Sequence, residues 1–285
     1  MSSLADANDP YVLQCMDLWS GNRSVENEIS TPGLDIFVYS LPWQGESQGG
    51  DVHYVSLCAG GLVTRLILAD VSGHGAAVAG TSRTLRGLMR RFMNSKSQSG
   101  LVRDLNREFS RLAQSGRFAT AIVGTHLIYR NSLTICNAGH PRPLRYQRGR
   151  DEWSIVENDT VGTGEASNLP LGLDESTTYR QFEVPVADGD LLVLYTDALI
   201  EARDGNGEML GEQNLLRLVS ETATTGTVRE FGRGMLQGLR DFCRSRSLED
   251  DLTILVLKFV SGRRRTPTVR EKLNAYAKLL RLKSV

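Results

Sequence analysis

The sequence predicts an α+β layered sandwich rather than a doubly wound parallel sheet. Turn signals repeatedly separate short β-rich runs, and hairpins of this kind pair their strands antiparallel. Helical patterns occur in two blocks instead of alternating with the strands, which also favours separate layers of helix and sheet. With 285 residues, of which 40% are hydrophobic and 23% are charged, the chain can bury a large core without disulfide bonds.

The first half of the chain predicts three strands followed by two helices. Residues 34–41 alternate loosely between apolar and polar side chains, and residues 52–59 and 62–69 are β-rich runs around a Gly-Gly pair that predicts a hairpin. Apolar residues recur at helical spacing in residues 75–94 and again in residues 101–113.

The second half of the chain predicts further hairpins, two more helices and a last strand. Three hairpins are expected, and their strands are residues 119–129 and 133–138, 144–147 and 153–156, and 179–186 and 191–196. The turn of the last hairpin is Asp188-Gly189. Residues 210–221 and 228–245 have the helical pattern. Residues 252–260 are almost unbroken apolar, which indicates a strand at the centre of a sheet.

Composition and charge argue against several classes of protein. No apolar run approaches the ~20 residues that a membrane-spanning helix needs, and the first residues lack the pattern of a signal peptide. The four cysteines form no Cys-x-x-Cys pair, so we expect free thiols in a reducing cytoplasm. From residue 263 onward there are eight basic residues and one acidic residue, and the rest of this neutral chain is therefore net acidic. An acidic body argues against a nucleic-acid-binding core.

Acidic residues stand at the ends of four predicted strands. They are Asp51 after Gly49-Gly50, Asp70 after a long apolar run, Asp197 after Tyr195-Thr196, and the pair Asp250-Asp251 before the last strand. A single Asp at such a place is most often a turn former or a cap. Several carboxylates that converge at one rim of the core would repel one another, and a pair of divalent cations resolves that conflict. Ligand sets made only of oxygen atoms suit Mg²⁺ or Mn²⁺ rather than Zn²⁺.

Together with their surroundings, these motifs resemble the bacterial type-2C-like serine/threonine phosphatases. More narrowly, they are similar to the branch of the sporulation stage II protein E and the stress-response sigma-factor phosphatases. The matching segments are Asp70-Val71-Ser72-Gly73-His74-Gly75, Asn137-Ala138-Gly139-His140-Pro141, Leu169-Pro170-Leu171-Gly172-Leu173, residues 196–208, and Asp250-Asp251-Leu252-Thr253. The resemblance covers roughly residues 34–260, and the segments occur in the order that is typical of the family.

The resemblance implies a four-layer αββα sandwich of two antiparallel sheets between helices, with two Mn²⁺ or Mg²⁺ ions bridged by a water molecule. Asp70 would bridge both ions and Val71 would offer its backbone carbonyl. Asp51 would reach an ion directly or through water. Asp197 and Asp250 would complete the site with Asp251 close by, where the wider superfamily has Asn. Asp70 and Asp197 are the residues that we expect to carry catalysis.

A few positions depart from the family pattern or leave their role open. Tyr54 stands where the family often has a second Asp, and Ala198 stands where it usually has Gly; neither change removes a primary ligand. His74 is either a general acid or, more simply, a loop residue. Arg23 is either a phosphate-binding residue or an exposed residue of a packing segment. His140 is expected to be structural.

The resemblance implies a function and a domain organisation. We expect metal-dependent hydrolysis of phosphoserine or phosphothreonine on a partner signalling protein, such as an anti-sigma-factor antagonist; the alternatives are a pseudophosphatase that acts as a scaffold and a metal-binding structural domain. Residues 1–33 are expected to be an N-terminal extension, residues 34–260 the phosphatase domain, and residues 261–285 a basic amphipathic tail. That tail is expected to pack on the acidic body, to dock on a partner or to make weak contact with a membrane surface.

Overall fold

The computed structural model describes residues 11–12, 18–58, 61–73, 78–93, 95, 97–112, 116–157, 167–244, 246–263 and 268–269. Within these ranges the strands are β1 (Tyr11–Val12), β2 (Leu18–Gly21), β3 (Val25–Thr31), β4 (Leu34–Leu41), β5 (Val52–Cys58), β6 (Val63–Val71), β7 (Ala119–Leu127), β8 (Ser132–Ala138), β9 (Leu144–Gln147), β10 (Glu152–Ile155), β11 (Gln181–Pro185), β12 (Leu191–Tyr195) and β13 (Leu252–Phe259). The helices are α1 (Ala79–Phe92), α2 (Gln98–Leu112), α3 (Ala198–Glu201), α4 (Gly211–Glu221) and α5 (Val228–Cys243).

The strands form two sheets, which confirms the predicted sandwich. One sheet has the order β1-β3-β4-β13-β12-β9-β10, and the other has the order β11-β8-β7-β6-β5-β2. The pairs are antiparallel except for β1 with β3. Helices α1 and α2 cover the outer face of the second sheet, whereas α4 and α5 cover the outer face of the first. The order of layers is therefore helix, sheet, sheet, helix.

The alternation of side chains along β13 explains why its sequence is almost unbroken apolar. Leu252, Ile254 and Val256 pack against the helices, while Leu255 and Leu257 belong to the apolar layer between the two sheets. Because neighbouring side chains of a strand point to opposite faces, a strand that is covered on both faces needs apolar residues at every position. The strand lies fourth of seven in its sheet, as the sequence predicts.

One predicted hairpin is wrong. The turn at Asp188-Gly189 was expected to pair the strands on either side of it, but β11 pairs with β8 in one sheet, whereas β12 pairs with β9 and β13 in the other. Turn residues specify that the chain reverses, and they do not specify which strand becomes the partner. The chain therefore crosses from one sheet to the other at this turn.

The segment before residue 34 contributes to both sheets. Strand β2 pairs with β5, and β3 pairs with β4 through a tight turn at Gly33. The sequence did not predict these strands because β3 is buried only over its second half, so its apolar pattern is short. The expected boundary at residues 33 and 34 thus lies inside a β-hairpin.

Several sequence-based expectations fall outside the described residues. These are the role of His74, the state of Cys15, and the tail helix, of which only Thr268 and Val269 are described. Cys58, Cys136 and Cys243 form no disulfide bond among the described residues. No helix in the described part of the chain is long and apolar enough to cross a membrane.

Gly232 of α5 lies so close to Phe37 of β4 that an added Cβ atom would collide with the ring. We expect Gly232→Ala to lower the free energy of unfolding by about 1–3 kcal/mol through overpacking. Gly87→Ala on the exposed face of α1 is the matched control, because nothing lies within 4 Å of that position; it should raise the free energy of unfolding by about 0.5–1 kcal/mol. Urea denaturation followed by circular dichroism measures both. Equal stability of Gly232→Ala and the unchanged protein would contradict the close packing of α5 on β4.

Candidate active site

The strand register brings the predicted acidic residues to one edge of the sandwich, which we call the acidic rim; they are Asp51, Asp70, Asp197, Asp250 and Asp251. In one sheet Val52 pairs with Ala69, so Asp51 at the start of β5 lies beside Asp70 near the end of β6. In the other sheet the end of β12 lies beside the start of β13, which places Asp197 near the Asp250-Asp251 pair. Antiparallel pairing thus joins the four motifs two by two.

A hydrogen bond from Thr196 joins the two halves of the rim. The hydroxyl of Thr196 donates to Oδ2 of Asp51 at 2.9 Å, across the gap between the sheets. The same hydroxyl accepts the backbone N–H of Thr253 at 2.9 Å, and the backbone N–H of Thr196 donates to the carbonyl of Thr253 at 3.0 Å. The Asp51 carboxylate is therefore fixed by the strand pair β12–β13 of the opposite sheet.

Asp51 is buried, with 2% of its surface exposed. Its other oxygen, Oδ1, is buried and accepts no hydrogen bond among the described residues. Burial raises the pKa of Asp51 well above its ordinary value, and the negative charge of Asp70 raises it further. A buried oxygen of this kind is costly unless a proton or a cation neutralises it.

The other carboxylates of the rim influence one another in the same way. Burial, and then the negative charges of Asp197 and Asp250, raise the pKa of Asp70 to about 8. Burial, followed by the charge of Glu201 on α3, also raises the pKa of Asp197. The acidic side chains thus lie near enough to disfavour one another's ionised forms, as the sequence predicts.

The chemistry of the rim fits a hard divalent cation. The available donors are carboxylate oxygens and the backbone carbonyl of Val71. This carbonyl is close to Gly50, since a Cβ atom added to Gly50 would lie 2.9 Å from it. Oxygen donors of this kind are those that Mg²⁺ and Mn²⁺ prefer. In the described ranges, no three acidic, histidine or cysteine side chains lie close enough together to enclose an ion. The fit therefore rests on donor type and on the unpaired Asp51 oxygen.

Asp251 holds the loop that carries Asp51. Its two carboxylate oxygens accept the backbone N–H groups of Trp43 and Gly50, each at 2.6 Å. A Cβ atom at Gly49 would lie 2.6 Å from the same carboxylate, so a larger residue does not fit there. The structure thus gives Asp251 a positioning role, and its role as a metal ligand stays a prediction.

Two further side chains hold the Gly49-Gly50 segment in place. The amide of Asn22 donates to the carbonyl of Gly49 at 3.2 Å, while the hydroxyl of Ser82 on α1 donates to the carbonyl of Gly50 at 3.1 Å. The segment directly before Asp51 is therefore bonded to Asn22, which follows β2, to Ser82 of α1 and to Asp251.

His140 contacts a residue that pairs with Asp70 and thereby stabilises the rim. Its Nδ1 lies 2.9 Å from the hydroxyl of Thr120, which pairs with Asp70 across β6 and β7. The side chain of Asn137 bonds both the backbone N–H and the carbonyl of His140, at 2.7 and 2.9 Å. Burial lowers the pKa of His140 to about 3, so the ring is neutral at pH 7. This agrees with the structural role that the sequence predicts.

The order of motifs and this geometry agree with comparisons to known proteins. Residues 61–260 match the family of stage II sporulation protein E (SpoIIE). The chain belongs to this family. It is 25% identical over 233 residues to the phosphoserine phosphatase RsbU of Bacillus subtilis (strain 168), which covers 79% of this chain and 63% of RsbU.

Solved structures have the same fold as this SpoIIE-family chain. The RsbU and RsbW domains of Rv1364c from Mycobacterium tuberculosis superpose with a TM-score of 0.66 at 25% identity, covering 86% of this chain and 64% of that one. The catalytic domain of the serine threonine protein phosphatase PstP, solved with two manganese ions, superposes with a TM-score of 0.52 at 18% identity, covering 80% and 98%. The chain thus spans just under two thirds of RsbU and of the Rv1364c chain.

The two departures from the SpoIIE-family pattern are both buried residues. Tyr54 is buried, and its hydroxyl donates to the sulfur of Met93 at 2.9 Å. It therefore fills the layer between β5 and α1 and does not reach the rim. Ala198 is the first residue of α3 and is also buried, so it changes the turn after Asp197 without removing a donor.

Sequence reasoning missed the residues that hold the SpoIIE-family site in shape. Thr196 stands next to a predicted ligand at the end of a strand, so its hydroxyl could have been noticed. Asn22 and Ser82 carry no comparable signal, because their hydrogen bonds to Gly49 and Gly50 depend on how distant segments pack.

Replacing Thr196 with Val keeps the shape of the side chain but leaves Oδ2 of Asp51 and the N–H of Thr253 without their partner. We expect Thr196→Val to lower the free energy of unfolding by about 1–3 kcal/mol, since both groups are buried. Thr196→Ser keeps the hydroxyl and is the matched control, with a smaller loss. Chemical denaturation in the presence of a chelator measures both variants. An equal loss in the two variants would show that the methyl group, rather than the hydrogen bond, matters.

Proposed function

We propose that this chain is a metal-dependent phosphatase that hydrolyses phosphoserine or phosphothreonine on a partner signalling protein. The observation that carries the proposal is the acidic rim. There a buried oxygen of Asp51 has no hydrogen-bond partner among the described residues, and the negative charge of Asp70 lies close to it. Membership of the SpoIIE family supports the same reading, as does the likeness to a phosphoserine phosphatase.

The residues proposed to hold two Mn²⁺ or Mg²⁺ ions are Asp51, Asp70, the carbonyl of Val71, Asp197 and Asp250. When bound, the ions supply a water molecule of lowered pKa and neutralise the charge of the phosphoryl group. The likeness to PstP, which was solved with two manganese ions, supports this assignment.

The chain's own groups prepare this site in distinct ways. Thr196 holds one oxygen of Asp51, so the other oxygen is directed away from that bond. Asp251 holds the loop before Asp51 through two backbone N–H groups. Asp70, Asp197 and Asp250 are only partly buried, so a phosphate ester can approach these acidic groups from solvent. Fixed donors of this kind need little rearrangement during the reaction.

The proposed substrate is a phosphorylated protein such as an anti-sigma-factor antagonist, in the cytoplasm. The support is the sequence resemblance to the sigma-factor phosphatases and the likeness to RsbU and to the RsbU and RsbW domains of Rv1364c. We further propose that the catalytic unit ends near Val260, where β13 has finished, and that the basic residues beyond it form a separable tail.

Hydrolysis of p-nitrophenyl phosphate is expected to require added Mn²⁺ or Mg²⁺ and to stop in excess EDTA, because the rim offers only oxygen donors with unneutralised charge. Release of p-nitrophenol is measured with each ion, after chelation, and after Mn²⁺ is restored. Undiminished turnover in EDTA would overturn metal dependence. Binding of Mn²⁺ without any hydrolysis would favour a scaffold protein instead.

Asp70→Asn and Asp197→Asn are each expected to lower turnover about a hundredfold or more, on the order of 3 kcal/mol. Both variants should fold, since the loss of one of several clustered negative charges relieves repulsion. Asp241→Asn is the matched control, because this exposed residue of α5 lies outside the rim and accepts a hydrogen bond from Gln237. Turnover and circular dichroism are measured for all three. Near-normal turnover of either rim variant would refute its assignment.

A further inference from the structure

Helix α1 carries four arginines and no acidic residue. Arg83, Arg90 and Arg91 are exposed, and Arg86 is half-buried. None of their side chains forms an ion pair or a hydrogen bond with another described residue; Arg91 lies over the ring of Phe92, 5.4 Å from its centre. The helix therefore presents uncompensated positive charge to solvent.

The neighbouring helices do not share this property. In α2, Arg107 pairs with Asp104 and Arg111 pairs with Glu108. In α5, Arg229 and Arg233 pair with Glu28 and Glu26 of β3. These arginines of α2 and α5 are thus offset by nearby acidic side chains, whereas no arginine of α1 forms an ion pair with a described residue.

The arginines of α1 form a continuous stripe on its outer surface. Leu85, Leu88 and Met89 are buried against the second sheet and define the inner face of the helix. Arg83, Arg86 and Arg90 follow one another at steps of three and four residues, so they lie in a row on the other side. We call these three residues the arginine stripe.

The arginine stripe begins beside the acidic rim. Ser82, the residue directly before Arg83, bonds the carbonyl of Gly50, which precedes Asp51. The first arginine of the stripe is therefore near the segment that carries a proposed metal ligand.

A phosphorylated protein approaches a rim that is itself strongly negative. Positive charge beside such a site attracts an anionic partner and sets its orientation. We propose that the arginine stripe is a docking surface for acidic residues that flank the phosphorylated residue of the protein substrate. This inference rests on the proposed function and adds a preference among substrates.

Other anionic partners fit the stripe less well. A membrane-surface helix buries an apolar face in the lipid, whereas the apolar face of α1 is already packed against the sheet. A nucleic acid carries negative charge along its whole length, so the acidic rim at the end of the stripe would repel it. An acidic peptide can leave its phosphate at the rim while its carboxylates contact the arginines.

The test compares two synthetic phosphoserine peptides that differ only in three flanking residues, Glu in one and Gln in the other. The measured quantity is the ratio of kcat/KM for the acidic peptide to that for the neutral peptide, with Mn²⁺ present. We expect a ratio of about ten at low salt, as several weak charge contacts would give. The ratio should fall towards one as the salt concentration rises from about 0.05 M to about 0.3 M, because salt screens exposed charges.

The combined variant Arg83→Gln, Arg86→Gln and Arg90→Gln should bring the ratio close to one. The matched control removes the same number of charges from α2 through Arg103→Gln, Arg107→Gln and Arg111→Gln, and it should keep the ratio. Circular dichroism establishes that both variants are folded. Each ratio compares two peptides in the same variant, so a general loss of activity lowers both values of kcat/KM and leaves the ratio unchanged.

Three outcomes would overturn the proposal. One is an equal rate for the two peptides in the unchanged protein, and another is an equal effect of the α1 and α2 variants. The third is stripe-dependent binding of a labelled RNA or of vesicles with anionic lipid while the peptide ratio stays near one. Hydrolysis of p-nitrophenyl phosphate is measured alongside, since its absence with Mn²⁺ would refute the proposed function itself rather than the docking surface.

Discussion

The hydrogen bond from Thr196 to Asp51 is the interaction on which the rest of the rim depends. An apolar layer lies between the two sheets, and it fixes their separation but gives little control over polar groups at the edge. At this edge Asp251 bonds Gly50, and Thr196 bonds the carboxylate of Asp51 itself. Thr196 follows the last residue of β12 in one sheet, while Asp51 precedes the first residue of β5 in the other. Their bond therefore sets the acidic groups of one sheet at a fixed distance from those of the other.

The protein handles its clustered negative charge in two different ways. Asp251 is buried, and two backbone N–H groups satisfy its oxygens, so hydrogen bonds offset the cost of its burial. Asp70 has no such donor among the described residues, and burial together with neighbouring negative charges raises its pKa to about 8, which disfavours the ionised form. The groups without hydrogen-bond donors are those for which a cation gives the largest stabilisation. This difference separates Asp251, a positioning residue, from Asp70, a proposed ligand.

The sequence was sufficient to predict those features of the structure that depend on a single strand or helix. The apolar run of β13 indicated a central strand because both faces of that strand are buried, and the acidic residues at strand ends indicated a shared rim. It was insufficient where the outcome depends on which distant segments meet. The turn at Asp188-Gly189 does not reveal that β11 and β12 belong to different sheets, and nothing local to Ser82 or Asn22 reveals their bonds to the loop before Asp51.

The acidic residues of the rim differ in burial, and this difference determines which of them can be reached from solvent. Asp51 and Asp251 are buried and tied to the loop, whereas Asp70, Asp197 and Asp250 are only partly buried. A molecule that comes from solvent therefore reaches the second group first, because the first group is buried. Helix α1 begins next to the rim, where Ser82 bonds Gly50, and three of its four arginines are exposed. Since these arginines form no ion pair with a described residue, the helix adds attraction for an anion next to a site whose own carboxylates would repel it.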